Sequence, residues 1–115
     1  MPLLGFNGQF SNKIISGIKR TTIRTHRVIP IKPGDILYMY SGLRTKNCKK
    51  IGQFKCISVK TISIFSKDIF VNSFKKNNYE RDEIVRKDGF DSFEDMKMFF
   101  KLPFHGILIE WEFDL

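Results

Sequence analysis

Between Gln53 and Phe65 apolar and polar residues alternate with a period close to two. Phe54, Cys56, Ile57, Val59, Ile62 and Ile64 hold the apolar positions, with Lys55, Ser58, Lys60 and Ser63 between them. Alternation of that length predicts a long strand, and its imperfection predicts a bend or bulge midway. Ile36 to Tyr40 reads as a shorter strand broken by Ser41-Gly42, with a polar, basic hairpin loop from Thr45 to Lys50. Ile69 to Val71 predicts a third strand. Ile107 to Phe113 predicts a closing one, apolar at first and alternating later.

Elsewhere the spacing is helical. Tyr79 to Lys87 places Glu80, Asp82 and Glu83 early and Arg86 and Lys87 late, the order that suits a helix dipole, and Gly89 ends the run. Phe93, Met96, Phe99 and Phe100 form one apolar face behind Ser92, an N-cap residue with Asp95 at the capping-box position, and Pro103 stops that helix. A short helix is expected from Lys13 to Ser16, N-capped by Ser11 or Asn12 and ended by Gly17. Residues 1–10 read as an extended lead-in anchored by Phe6 and Phe10, with Gly5 and Gly8 opposing helix. Thr21 to Arg27 is β-branched and polar, and so extended; Pro30 and Pro33 bracket a turn closed by Gly34-Asp35. The sum predicts one α+β domain over residues 1–115: a small, mostly antiparallel β-barrel with about three short helices around it.

Composition fits that size of domain. Apolar residues make up 42% of 115, with 12 Phe, enough for a core and too much for a disordered chain. No apolar run is long enough for a transmembrane helix, and the first residues do not read as a signal peptide. A cytoplasmic protein without a membrane partner is expected. Cys48 and Cys56 fit no zinc spacing, and His26 and His105 stand alone, so two reduced thiols and no metal or cofactor are expected.

Charge changes the picture more. The net charge is +8, but residues 1–60 hold twelve Lys and Arg against one acid, Asp35, while residues 61–115 are net acidic. A basic half of that kind points to a polyanionic partner, most plausibly nucleic acid; a solvated basic surface would give the same count.

The densest chemistry lies in Ser16-Gly17-Ile18-Lys19-Arg20-Thr21-Thr22-Ile23-Arg24. If Thr21 to Arg24 is extended, Thr22 and Arg24 share one face, and Thr21 shares the other with Ile23. Ile23 belongs in the core, so Thr22 and Arg24 face a cleft that Lys19 can reach from just upstream. A lysine and a hydroxyl in one desolvated pocket can act as nucleophile or activate water, and Arg24 can fork onto a carboxylate, phosphate or base edge. Arg20 and Thr21 are further candidates for ligand contact. Asp88, just before the helix-ending Gly89, is disfavoured by the helix dipole, which suggests a salt bridge to Lys19 or Arg24 holding it there. Tyr40 and Arg44 are candidates to stack on a base or meet a phosphate, and Arg44, Lys46, Lys49 and Lys50 make a basic hairpin tip.

These residues carry a resemblance. Gly17-Ile18-Lys19-Arg20-Thr21-Thr22-Ile23-Arg24 resembles the G-x-K-x-x-T-x-R signature of ASCH domains, in the PUA-like superfamily. Lys32-Pro33-Gly34-Asp35 before a strand, Asp88-Gly89-Phe90-Asp91-Ser92-Phe93-Glu94-Asp95 before a helix, and Phe104-His105-Gly106-Ile107-Leu108-Ile109-Glu110-Trp111 at the closing strand are similar to that family's motifs in the same order. The resemblance implies a β-barrel with a cleft and an RNA- or nucleotide-related role. One ASCH branch removes the acetyl group from N4-acetylcytidine with a lysine, a threonine and a glutamate. By resemblance these fall on Lys19, Thr22 and Asp88, an aspartate where that branch has glutamate, with Glu83 one turn earlier as the fallback. Other members bind RNA or act as ribonucleases. The expected function is therefore binding of RNA or a nucleoside in a cleft around Lys19 to Arg24. The alternatives are N4-acylcytidine hydrolysis and metal-independent cleavage of a phosphodiester.

Overall fold

The computed structural model describes residues 2–113; Met1, at the head of the expected lead-in, and Asp114 and Leu115 lie outside them. The fold is built on β4 (Lys49–Ile64), the strand that the alternation predicts, begun four residues earlier. Its first part pairs antiparallel with β3 (Ile36–Ser41) and its second part with β7 (Phe104–Trp111). The predicted bulge is there: Cys56 lies opposite Trp111 and Ser58 opposite Glu110, so Ile57 has no partner in register. At its end β4 also pairs with β5 (Ile69–Val71), the short strand expected, which carries β6 (Phe74–Lys75).

Two short strands complete a mixed seven-stranded sheet. β1 (Leu3–Phe6) runs parallel to β3, and β2 (Thr21–Arg24) runs antiparallel to β7. The expected barrel is not closed. β1 pairs only with β3 and β2 only with β7, and after Phe6 the chain leaves the sheet for a single helical turn at Gly8–Phe10. A seam is left between β1 and β2, and the Arg24 side chain bridges it, donating from Nη2 to the Gly5 carbonyl at 2.6 Å.

Three helices flank the sheet: α1 (Ser11–Ile15), α2 (Asn78–Lys87) and α3 (Phe93–Phe99). Ser92 caps α3 by accepting from Asp95 N, as expected. α2 starts one residue earlier than the charge pattern implied, because Asn77 and Glu80 form a reciprocal capping box. The expected Ser11 or Asn12 cap is absent. Ser11 is already helical, and Asn7 instead accepts from Gln9 N to cap the preceding turn, which includes Gly8.

The core has two parts. One, around Trp111, Leu37, Met39 and Ile109, lies between the β3–β4 sheet and the N-terminal segment. The other, around Ile62, Ile64, Val85 and Met96, lies under α2 and α3. Phe90 packs against both, so the turn between α2 and α3 sits where the two parts meet.

Candidate functional site

Among the described residues, four polar side chains are buried: Lys19, Thr21, Thr22 and Asp88, each with at most 4% of its surface exposed. Three came from one stretch of sequence and the fourth from 66 or more positions away. Burying a lysine and an aspartate is costly unless they are paired. They are: Lys19 Nζ lies 3.5 Å from Asp88 Oδ1 and donates to the Asp88 backbone carbonyl at 2.6 Å. Of the two salt-bridge partners the sequence allowed for Asp88, Lys19 is the one in contact.

The local chain path explains the meeting. Gly17, at φ +83°, turns the chain out of α1. Arg20 N then donates to the Lys87 carbonyl at 2.7 Å, laying the Lys19–Arg20 segment against the end of α2. Gly89, at φ +92°, ends that helix, and Lys13 Nζ donates to its carbonyl at 2.6 Å. Two lysines thus take carbonyls at the negative end of α2, which favours cations there. A Cβ on Gly89 would come within 3.2 Å of Lys19 Cδ, so the turn packs closely on the lysine stem.

On β2, side chains alternate as expected. Thr22 and Arg24 share a face, with Arg24 Nε donating to Thr22 Oγ1 at 3.0 Å. Lys19, Thr22, Arg24 and Asp88 line one cavity of about 140 Å³ beside the seam, with Gly5 and several phenylalanines. Lys19 Nζ is 4.7 Å from the centre of the Phe10 ring, and Arg24 Cζ is 4.8 Å from that of Phe6. Cation–π attraction of this kind steadies a charge that has lost its water. A dry cavity of ~150 Å³ accepts one benzene ring, so this one has room for about a single ring.

Burial sets the electrostatics. It pushes the Asp88 carboxyl up from 3.8 to about 6, against the pull of the Lys19 charge and the Thr21 hydrogen bond. It pushes Lys19 below its ordinary value of 10.5, against the opposing pull of Asp88. The charged and neutral forms of the pair are therefore closer in free energy than in water, the condition under which a side chain exchanges protons readily.

The other candidates lie elsewhere. Thr21 is buried on the opposite face of β2 and donates to Asp88 Oδ1 at 2.9 Å; it does not line the cavity. Arg20 is exposed and bound to the Gly17 carbonyl. Tyr40 is half-buried on β3, opposite Gly5 in register, and Arg44 is exposed in the hairpin loop at φ +70°. Neither reaches the cavity. Glu83 is exposed on α2 and borders a separate cavity behind β2, so Asp88 is the acid placed beside Lys19.

The phenylalanines are what the sequence reading missed. Phe99 belonged to the expected buried face of α3, yet it is 51% exposed and lines the cavity. Its ring packs edge-on against Phe10, Phe90 and Phe100. Phe6 and Phe10 read as anchors, and the only further signal was their nearness in sequence to the Lys19 stretch.

Charge pairing is uneven too. Among the described residues, Lys13 and Lys19 alone of the twelve cations in residues 1–60 are ion-paired, whereas Lys75, Lys76, Arg81, Lys87 and Lys97 are paired in the acidic half. Cys48 and Cys56 are both free thiols. No described helix is long and apolar enough to cross a membrane, and among the described residues no His, Cys, Asp and Glu side chains cluster in threes.

The chain matches no family model, and no curated protein or solved structure matches it significantly.

Proposed function

We propose that the chain is an ASCH-like, PUA-like domain that binds the base of a nucleoside or nucleotide, free or within RNA, in the cavity at the β1–β2 seam. The observation that carries this reading is the cavity itself: space for about one ring, walled by phenylalanines and edged by Lys19, Thr22 and Arg24. A planar heterocycle satisfies both kinds of wall, stacking on the rings and offering its edge to the cations. The unpaired cations of residues 1–60 favour a ligand that carries phosphate. A cytoplasmic setting, with Cys48 and Cys56 reduced, accords with such a ligand.

The Lys19–Asp88 pair favours a second reading on the same site: hydrolysis of an acyl amide on the base, as in N4-acetylcytidine. Lys19, as the neutral amine, takes a proton from a water molecule while the water oxygen bonds to the acyl carbon. Thr22 and Arg24 face the oxygen on which negative charge then develops. The carbon–nitrogen bond breaks, and the proton on Lys19 passes to the leaving nitrogen. The products are acetic acid, which releases its proton to solvent as acetate, and the free base amine. Asp88 holds Lys19 in place and steadies its charged form. Phosphodiester cleavage has less support, because a cavity with room for about one ring suits a base better than a backbone.

Two measurements test these readings. Incubation of the purified chain with N4-acetylcytidine is expected to yield cytidine and acetate on chromatography, and Lys19→Ala to abolish it; no cytidine from the unmutated chain ends the hydrolase reading. Binding of cytidine, cytidine monophosphate and a short RNA, followed by calorimetry across salt concentrations, tests recognition. Absence of binding by all three ends it.

A further inference from the structure

Thr21 is the one buried polar residue near the pair that does not line the ligand cavity. Its backbone lies in β2, opposite Glu110 of β7, and its side chain shares the core-facing side of the strand with Ile23. Asp88 accepts the Thr21 hydroxyl hydrogen on Oδ1, the oxygen that also pairs with Lys19. From its other side Thr21 borders a second cavity of about 190 Å³, behind β2, with Glu83, Lys87 and Glu110. Lys19 and Asp88 thus line the front cavity and Thr21 lines the back one, while the Thr21 hydroxyl is bonded to the Asp88 carboxylate.

We infer that Thr21 is a positioning residue: it holds Asp88 as an anion, facing Lys19, from behind the ligand cavity. A hydroxyl that donates to a carboxylate favours the charged form over the neutral one. It also fixes the carboxyl rotation, so that the same oxygen is presented to the lysine. The groups facing Asp88 are few. Lys19 comes from the segment before β2, Thr21 and Arg24 come from β2, and Lys13 of α1 holds the adjoining Gly89 carbonyl. Lys87 and Glu110 lie in the back cavity and are paired with each other at 3.4 Å. Valine fills the volume of threonine and keeps its branching, so Thr21→Val removes the hydrogen bond with the strand intact, and Thr21→Ser restores it.

The inference rests on Asp88 working in the pocket as proposed above, and its test is chosen so that the two can fail separately. The Asp88 carboxyl carbon is followed by NMR through a pH titration of the full chain and of each variant. Thr21→Val is expected to raise its midpoint by about one pH unit, a tenfold gain in proton affinity, and Thr21→Ser to return it toward that of the unmutated chain. If the amide is hydrolysed, the acid limb of the pH–rate profile moves with the titration, while KM stays the same. Identical titration of Thr21→Val and the unmutated chain overturns the inference, as does a Thr21→Ser curve that follows Thr21→Val. Exchange of the Thr21 hydroxyl proton in the unmutated chain guards against a variant that fails to fold. Slow exchange with water at neutral pH supports the inference, and exchange as fast as at the exposed Thr25 overturns it. An unmutated chain without hydrolase activity ends the second reading above and leaves the titration to decide on Thr21.

Discussion

Lys19 Nζ is held by the backbone carbonyl of Asp88 at 2.6 Å, closer than by the carboxylate of the same residue at 3.5 Å. The lysine is thus placed by main chain at a helix end, and the side chain of Asp88 is left to govern its charge. Asp88→Asn is expected to leave Lys19 in position and, if the acyl amide is hydrolysed as proposed, to lower that rate by ~10²–10⁴-fold, the range typical of disabling acid–base catalysis. The variant also separates the pH terms. Asp88 binds a proton more tightly in the folded chain, at about 6 against 3.8, so its contribution to stability falls as pH rises from about 4 to 6. Burial lowers the Lys19 value, so its contribution rises with pH toward 10.5. In Asp88→Asn the Lys19 amine loses the Asp88 charge that opposes burial, so its value falls further and the variant gains more stability as pH rises. Relative to Asp88→Asn, the unmutated chain is therefore expected to gain stability on acidification from neutral pH, by up to about 3 kcal/mol, and to lose its advantage toward pH 9. Urea unfolding at several pH values reads the difference; a gap that widens toward alkaline pH contradicts the assignment.

Arg24 joins two strands that share no ladder. Lysine keeps the charge but cannot donate both to Gly5 O and to Thr22 Oγ1 from a planar fork. Arg24→Lys is expected to cost about 1.5–3 kcal/mol, the worth of a charged hydrogen bond. Amide hydrogen exchange localises the effect: faster in β1 and β2, unchanged in β5. Uniform acceleration would mean that the seam is not where Arg24 acts.

Gly106 and Gly34 make a matched pair. A Cβ on Gly106 would collide with the Arg24 carbonyl oxygen, a backbone atom that can yield only if β2 moves off β7. Gly34 has φ +97° with nothing within 4 Å, so alanine there meets only backbone strain. Gly34→Ala is expected to cost ~1–2 kcal/mol, and Gly106→Ala to exceed 4 kcal/mol, as severe core disruptions do. Thermal unfolding compares them; equal losses would show that β2 can shift freely, and the site geometry with it.

Phe99 stands half in solvent at the cavity wall. Phe99→Ala is expected to change stability little for a phenylalanine, by about 1 kcal/mol, while weakening nucleoside binding by roughly tenfold, in line with a stacking contact worth ~1–3 kcal/mol. Calorimetry on the variant decides between a stacking platform and a residue that only covers the core; unchanged affinity favours the latter.

Local chemistry made much of this legible. α2 was readable from its charge order and α3 from its Ser92 cap and apolar face, although the Asn77 cap of α2 was not, and β5 was bounded by polar neighbours on both sides. Thr22 and Arg24 were readable because strand alternation alone assigns their faces, and Lys19 because it lies within a turn's reach of them. What depended on distant contacts was not. The parallel pairing of β1 with β3 joins Gly5 to Tyr40 across 35 positions, and no turn residue announces it. The unclosed sheet follows from how short β1 is and where the chain turns after Phe6, neither of which shows as periodicity. Phe99 keeps helical spacing with Phe93 and Met96, but it sits at the last residue of α3, where the helix overhangs the cavity rather than the core. Thr21 was placed on the core side correctly, yet only the structure brings Asp88 to it there.

The two parts of the core meet at the cavity. Phe6 and Phe10 belong to one part and Ile23 to the other, and all three form its walls. Those walls are also joined by Phe90 and by β4 and β7, which give residues to both parts. A ring seated between them adds contact to both sides at once, and so works as a rivet. If a ring binds there as proposed, resistance to heat is expected to rise with ligand concentration, because only the folded walls form the seat.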